Sequence, residues 1–269
     1  FLKYSNKNLF LKVKYLKKLS KKKYRDLYNE FLVEGRHLVI EAYKHNMLKE
    51  IILCEGEVTP FDVPYTIVSY EVMKKISEVE TPQKIMGICK KLDDTTIGSR
   101  ILLLDEIQDP GNMGTIIRSA VAFDIDTIIL SKNCVDLYNP KVVRSTQGML
   151  FHIPILIYDF DELLPMLKEL KIPIYATRVE YGTDVSTLKE DEKKRFALLM
   201  GNEGNGVHPE YLELSDKNLY IPMSNEVESL NVAIATSILL YELSNKDEYI
   251  IYRQSSFYSW NKRRNKNNI

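Results

Sequence analysis

Residues 196–206 read Phe-Ala-Leu-Leu-Met-Gly-Asn-Glu-Gly-Asn-Gly. Phe196 to Met200 run without a polar break, the pattern of a strand buried on both faces of a parallel sheet. Gly201, Gly204 and Gly206 then allow backbone amides and carbonyls to approach a ligand closely. A loop at the carboxyl end of a parallel strand is where open α/β sheets bind ligands. The spacing is G-x-x-G-x-G; it is not the dinucleotide G-x-G-x-x-G, and no Walker lysine follows. One carboxylate, Glu203, sits in the middle of the loop. A wide glycine-rich turn without a ligand would share this composition, so the loop does not settle function alone.

Working outward, the same rhythm recurs. Ile101–Leu104, Thr127–Leu130, Pro154–Ile157 and Ile172–Tyr175 are short apolar runs, with helical segments between them at 113–123, 140–147 and 160–169. This alternation predicts an open α/β sheet covered by helices. Residues 230–243 read as a long helix, apolar on all sides, so part of it must be buried against the sheet or a partner. Ahead of residue 97 the pattern differs. Leu9, Leu11, Val13, Leu16 and Leu19, then Tyr24, Leu27 and Tyr28, predict two helices broken near Ser20. A strand at 31–35, a helix at 36–45, strands at 51–53, 66–68 and 85–88, and a helix at 72–76 complete a second α/β unit, with a linker at 93–98. The organisation expected is therefore 1–96, 97–249 and a basic tail at 250–269.

With 45% hydrophobic residues in 269 there is ample material for a core, and no window nears the about 18 uninterrupted apolar residues of a membrane span. The first residues alternate apolar and basic and do not read as a secretory signal. Cys54, Cys89 and Cys134 form no CxxC pair, and His37, His45, His152 and His208 are scattered. That argues against a disulfide scaffold or zinc site and for a reducing, cytoplasmic setting with no catalytic metal. Net charge is zero, but its distribution is uneven: Phe1 to Arg25 carries Lys3, Lys7, Lys12, Lys14, Lys17, Lys18, Lys21, Lys22, Lys23 and Arg25 with no acidic residue. Lys262, Arg263, Arg264 and Lys266 repeat the theme. This is the footprint of a phosphate-backbone partner, although a solvated helix face would look the same.

Two more loops follow strands. Asp109-Pro110-Gly111-Asn112-Met113-Gly114-Thr115-Ile116-Ile117-Arg118 opens a helix: Asn112 can cap it, Gly114 permits close approach, Ile116 and Ile117 face inward, and Arg118 is placed to grip phosphate. Ile221-Pro222-Met223-Ser224-Asn225 ends a strand, and Ser229-Leu230-Asn231 leads into the long helix, with Ser229 as expected N-cap. Capping explains Ser229 but leaves Asn231, a poor helix former, without a reason.

In this order and spacing, N-x-G-x-x-x-R at 112–118, M-G-N-E-G at 200–204, and I-P-M then S-L-N at 221–231 resemble the three motifs of the SpoU/TrmH family of ribose 2′-O-methyltransferases in the SPOUT superfamily. The resemblance covers roughly 99–245. Lys23-Tyr24-Arg25 and Phe31-Leu32-Val33-Glu34-Gly35 are similar to the small substrate-binding domain that often precedes it. Asn225 stands where the family usually has Gly, a tolerable exchange in a left-handed backbone, and Ser119 replaces a common Thr.

The resemblance implies a trefoil-knotted SPOUT α/β catalytic domain with a parallel sheet, preceded by a small α/β ribosomal-protein-like RNA-binding domain. It implies S-adenosyl-L-methionine (AdoMet) as methyl donor, without metal, held by Thr177, Leu199, Met200, Gly201, Ile221, Pro222, Met223 and Leu230. Arg118 would be central, stabilising charge on the ribose oxygen or clamping a phosphate. Asn112 and Asn231 would orient Arg118 or the ribose, Glu203 would support the loop, and Ser229 would organise the site. Relatives act as homodimers through the last helix, here including Val232–Ala235 and Leu239–Leu240. Large-subunit ribosomal RNA is the expected substrate; transfer RNA and a non-catalytic RNA-binding role remain alternatives.

Overall fold

The computed structural model describes residues 6–93, 95–179, 182–224 and 226–244. Lys3, Asn225 and the basic tail at 250–269 lie outside the described residues.

The first unit comprises α1 (Asn6–Lys18), α2 (Lys22–Tyr28), β1 (Glu30–Glu34), α3 (Arg36–Lys44), β2 (Leu48–Cys54), β3 (Tyr65–Val68), α4 (Tyr70–Ile76) and β4 (Ile85–Lys90). Its strands lie in the order β1-β4-β2-β3, with β4 antiparallel to both neighbours and β2 parallel to β3. Gly35, at φ 100°, turns the chain from β1 into α3. Leu16, Leu19, Ile52, Met73 and Ile88 form a core on the face covered by α1 and α4.

The second unit runs β5 (Arg100–Leu104), α5 (Pro110–Ala122), β6 (Thr127–Leu130), α6 (Pro140–Ser145), β7 (Ile155–Ile157), α7 (Phe160–Glu169), β8 (Ile174–Thr177), β9 (Thr183–Asp184), α8 (Glu190–Lys193), β10 (Phe196–Met200), α9 (Pro209–Leu214), β11 (Lys217–Tyr220) and α10 (Val232–Leu243). The seven strands are parallel, in the order β7-β6-β5-β10-β8-β11-β9. Alternate residues of one strand serve opposite layers: Leu102 and Leu104 pack with Ile116, Ile117, Val142 and Leu240, whereas Ile101 and Leu103 pack with Phe160, Leu163 and Leu167. That two-sided burial is why these strands read as unbroken apolar runs. The short β9, α8 and α9 left no usable periodicity in the sequence.

The long final helix is half explained by its own chain. Val232, Ala233, Leu239 and Leu240 are buried, and α10 packs on α5 with Ser119 Oγ 2.7 Å from Ser237 Oγ. Gly114 allows α5 and α6 to meet: a Cβ there would lie 2.0 Å from Ser145 Oγ.

The two units share one continuous core. Phe31 of β1 lies 4.7 Å from the Tyr138 ring, centroid to centroid, and both belong with Phe151 to the cluster that runs through the second sheet. Leu92 N–H donates to Tyr138 Oη at 2.9 Å. Arg25 corrects the expectation that the whole basic stretch faces RNA. It is only 3% exposed, pairs with Asp136 across the seam, and donates to Leu19 O and Ser20 O, while neighbouring Leu27 is 67% exposed. Lys12 is likewise taken by Glu50 at 2.6 Å. Lys14, Lys17, Lys21 and Lys23 are exposed and make no ion pair among the described residues. On the other side of the seam, His152 Nε2 lies 2.8 Å from Glu41 Oε2. Burial, and then the neighbouring His152, hold the His45 imidazole below its ordinary range.

Candidate active site

Because β10 lies between β5 and β8, with β11 beyond β8, the loops leaving four carboxyl ends converge. The loop after β10 is closed on itself: Asn202 N–H donates to Gly206 O and Gly206 N–H to Asn202 O, each at 3.0 Å. Asn202 Oδ1 accepts from Gly204 N at 2.9 Å and Asn205 N at 3.2 Å, and its Nδ2 donates to Glu106 O at 3.0 Å, tying the loop to the one after β5. Gly201 is required here, since a Cβ would come within 2.1 Å of the Gly206 carbonyl carbon.

Glu203 anchors a chain of side chains. Its carboxylate accepts from Gln108 N (3.4 Å), Asp109 N (3.3 Å) and Asn112 Nδ2 (3.2 Å). Asn112 Oδ1 accepts from Asn231 Nδ2 at 3.0 Å, and Asn231 Oδ1 accepts from Ala233 N and Ile234 N at 2.9 and 3.3 Å. A helix N-terminus can only donate, so the chain has one consistent polarity from α10 to Glu203. Two capping expectations are corrected. Asn231, not Ser229, is the N-cap of α10, and Asp109, not Asn112, caps α5 by accepting from Asn112 N at 2.8 Å. An N-cap followed at once by Val232-Ala233-Ile234 starts the helix where the apolar run starts.

Asn231→Asp should separate the two jobs of this residue. The aspartate keeps an oxygen for the α10 amides and suits the positive helix end, but it presents a second acceptor to Asn112 Oδ1. The pair is solvent-exposed, so its loss should leave the melting temperature nearly unchanged, whereas a rim held out of position should cost methyl transfer roughly tenfold to a hundredfold. Side-by-side thermal melts and turnover measurements check this; unchanged turnover would reduce the chain to a capping device.

Behind this rim lies a cavity of about 590 Å³, within the size range of small-molecule sites. It is lined by the ends of β8, β10 and β11, by the glycine loop and by one face of α10. Of the anticipated donor-binding residues, Thr177, Met200, Gly201, Ile221, Met223 and Leu230 line it, as do Glu203 and Ser229. Leu199 does not: it is fully buried in the sheet, and its carbonyl accepts from Thr177 Oγ1 at 3.2 Å. Pro222 is exposed outside the cavity, and Asn112, Arg118 and Asn231 stand at or beyond its rim rather than in its wall. The sequence reading missed Arg178, Asn205, Tyr220 and Leu239, which also line it. Arg178 follows a strand end and was open to the same loop argument; Leu239, two turns into α10, carried no local signal.

Arg118 lies on the exposed stripe of α5 with Asn112 and Thr115, at three-residue spacing. Among the described residues it makes no hydrogen bond or ion pair, so neither Asn112 nor Asn231 orients it here. Nearby, at the end of β5, burial pushes the Asp105 carboxyl above its ordinary range, and its Oδ2 lacks a hydrogen-bond partner while His208 Nε2 stands 4.0 Å away.

The fit to AdoMet can be judged on the cavity itself. Among the described residues Arg178 is its one cationic lining residue and no lysine lines the glycine loop, which suits a donor without phosphates whose sulfur is itself positively charged. The apolar depth at Met200, Leu219 and Leu239 would accept a flat base, and the backbone-rich loop supplies hydrogen bonds at the rim.

A nucleoside-sized cavity under a glycine loop, at the carboxyl ends of parallel strands and with an acid–amide chain along its edge, defines a ligand-binding α/β domain. The chain belongs to the SpoU rRNA methylase family, whose model matches residues 99–241; an MRM3-like substrate-binding domain matches residues 11–87. It is 40% identical over 238 residues to a 23S rRNA guanosine 2′-O-methyltransferase of Bacillus subtilis, covering 86% of this chain and 95% of that one. Among solved structures, a TrmH-family protein from Porphyromonas gingivalis superposes with TM-score 0.80 at 30% identity, over 91% of this chain and 100% of that one. An AdoMet-bound rRNA methyltransferase from Sinorhizobium meliloti gives 0.78 at 30% identity, over 89% and 95%. The chain is thus an RNA methyltransferase of SPOUT architecture.

Proposed function

We propose that this chain methylates a ribose 2′-hydroxyl of large-subunit ribosomal RNA, with AdoMet in the 590 Å³ cavity and the reacting ribose at its rim. The observation that carries the reading is the chain Glu203–Asn112–Asn231, which joins all three motif loops at the mouth of that cavity. Bound AdoMet supplies a methyl group on a positively charged sulfur, which the ribose oxygen displaces as it gives up its proton. Thr177, Met200, Gly201, Ile221, Met223 and Leu230 hold the donor; Leu199 and Pro222 drop out of that set. Glu203 already accepts three N–H groups, so it acts as the anchor of the rim, with Asn112 and Asn231 fixing its position. Ser229 lines the cavity beside them. Arg118, which makes no hydrogen bond or ion pair among the described residues, stabilises negative charge on the ribose oxygen or clamps the adjoining phosphate with its planar guanidinium.

The reading extends to a trefoil-knotted backbone around the donor, to units bounded near residues 96 and 97, and to action in the cytoplasm as a homodimer. Exposed Ile234 and Tyr241 on α10 support the dimer. The reaction needs no metal: calorimetry in excess chelator should still show AdoMet binding. Incubation with AdoMet and ribosomal or transfer RNA, followed by ribose-methyl mapping, tests the whole reading. Methylation of transfer RNA alone would change the substrate, and methylation of neither would leave a binding module.

RNA enters through the free lysines of the first unit. Replacing Lys14, Lys17, Lys21 and Lys23 together by Gln should weaken RNA binding and flatten its dependence on salt, by about 0.7–0.9 in log–log slope for each phosphate no longer neutralised. AdoMet affinity should stay as it is. An unchanged salt slope would place the RNA elsewhere. Since the two units share one core, these substitutions probe the first unit without exposing Phe151 and Tyr138, as its removal would.

A further inference from the structure

We propose that Glu41, His45 and His152 form a zinc site that clips the substrate-binding unit to the catalytic unit. One ligand atom from each of the three lies within 4.8 Å of the others. Glu41 and His45 are four residues apart at the end of α3, a spacing that puts both on one helical face. His152 arrives from the other unit, 111 residues after Glu41, with its ring centroid 4.3 Å from that of His45.

Several features go beyond two units merely touching. Glu41 is buried, His45 half-buried and His152 exposed, so the carboxylate is fixed and the rings can adjust. Gly148, at φ 85°, packs its backbone so closely on the Glu41 side chain that a Cβ there would lie 2.8 Å from Glu41 Cγ. Lys44 Nζ holds Glu41 Oε1 at 2.8 Å, which leaves Oε2, facing His152, for an ion. Zinc bonds of about 2.0–2.2 Å place ligand atoms of a tetrahedron roughly 3.3–3.6 Å apart. The Glu41–His152 pair, at 2.8 Å, would open slightly to admit the ion, and the His45 nitrogen, within 4.8 Å of both, would approach to close the third side. Two imidazole nitrogens and one carboxylate oxygen suit zinc, with water as a fourth ligand, and offer too few oxygens for calcium or magnesium.

None of the three residues lines the cavity under the glycine loop, so the ion would be structural. Its ligands come together only when the units are docked, so binding draws on the docked state and stabilises it by mass action.

The test uses the untagged full chain, stripped with chelator and dialysed. Zinc titrated by calorimetry should bind at one per chain and raise the melting temperature. His45→Asn and His152→Asn should each weaken binding by at least about tenfold, the low end of what removing even a supporting residue costs a metal site, and should abolish the thermal shift. His208→Asn should retain both. Melting all four proteins in chelator shows whether a variant is folded before zinc is added. No zinc bound by the parent chain, binding that both variants leave unchanged, or loss in only one of the two would each overturn the site.

Discussion

Arg118→Ala should lose roughly two to three orders of magnitude in methyl transfer, the usual cost of removing one preorganised electrostatic donor. The tertiary structure strengthens the case by removing the competing explanation. Arg118 is exposed on α5 and holds no carboxylate, carbonyl or ring among the described residues. Surface substitutions of that kind change stability by about 0.5 kcal/mol or less, so the melting temperature should not move. Nor does the side chain line the cavity, so AdoMet affinity should be retained. Arg118→Lys keeps the charge and loses the planar fork, and should remain well below the parent enzyme. Single-turnover transfer to substrate RNA, run beside AdoMet calorimetry, decides the matter. Near-normal transfer by Arg118→Ala would dismiss the catalytic role, and a fall in melting temperature would make the residue structural.

Gly201→Ala should weaken AdoMet binding strongly, by a different route. The added methyl would sit 2.1 Å from Gly206 C and 2.2 Å from Val207 N, which are backbone atoms that cannot rotate away. The paired Asn202–Gly206 bridge would have to open. Overpacking costs about 1–3 kcal/mol, so a loop that must be re-formed on binding should lose up to roughly a hundredfold in affinity. The other two glycines provide a graded comparison. At Gly206 an alanine has open space but must adopt φ 69°, a moderate strain. At Gly204 its nearest neighbour would be Asn202 Oδ1 at 3.5 Å, ordinary contact. Affinity should therefore fall most at 201, less at 206 and little at 204. Equal losses at all three would mean the loop is simply flexible and that its shape does not form the donor site.

Much of the architecture was legible in local sequence because its causes are local. Strands buried on both faces must be apolar at every position, so Ile101–Leu104 and Phe196–Met200 announced a parallel sheet. The glycine loop and the asparagines and arginine around it carry chemistry a folding argument does not require, and their order matched one family. Helix starts were less legible. Ser229 and Asn231 are both good caps, and only the position of α10 against α5 selects Asn231. Amphipathic periodicity also failed at α2, where it could not foresee that Arg25 would be buried and Leu27 exposed.

By itself, then, the sequence determined the fold class and the three motif loops, since strand burial, turn chemistry and motif spacing are all read over a few neighbouring residues, while the kind of donor came with the family those motifs resemble. Only the tertiary structure decided which residues act together. Asn112 meets Glu203 across 91 residues and Asn231 across 119 because the strand order sets β10 beside β5 and brings α10 back over α5. Arg25 reaches Asp136, and His152 reaches Glu41, because the two units bury a common core. Pairings that distant leave no period in the chain; they follow from the order in which strands and helices pack, and that order is fixed by the burial of the whole.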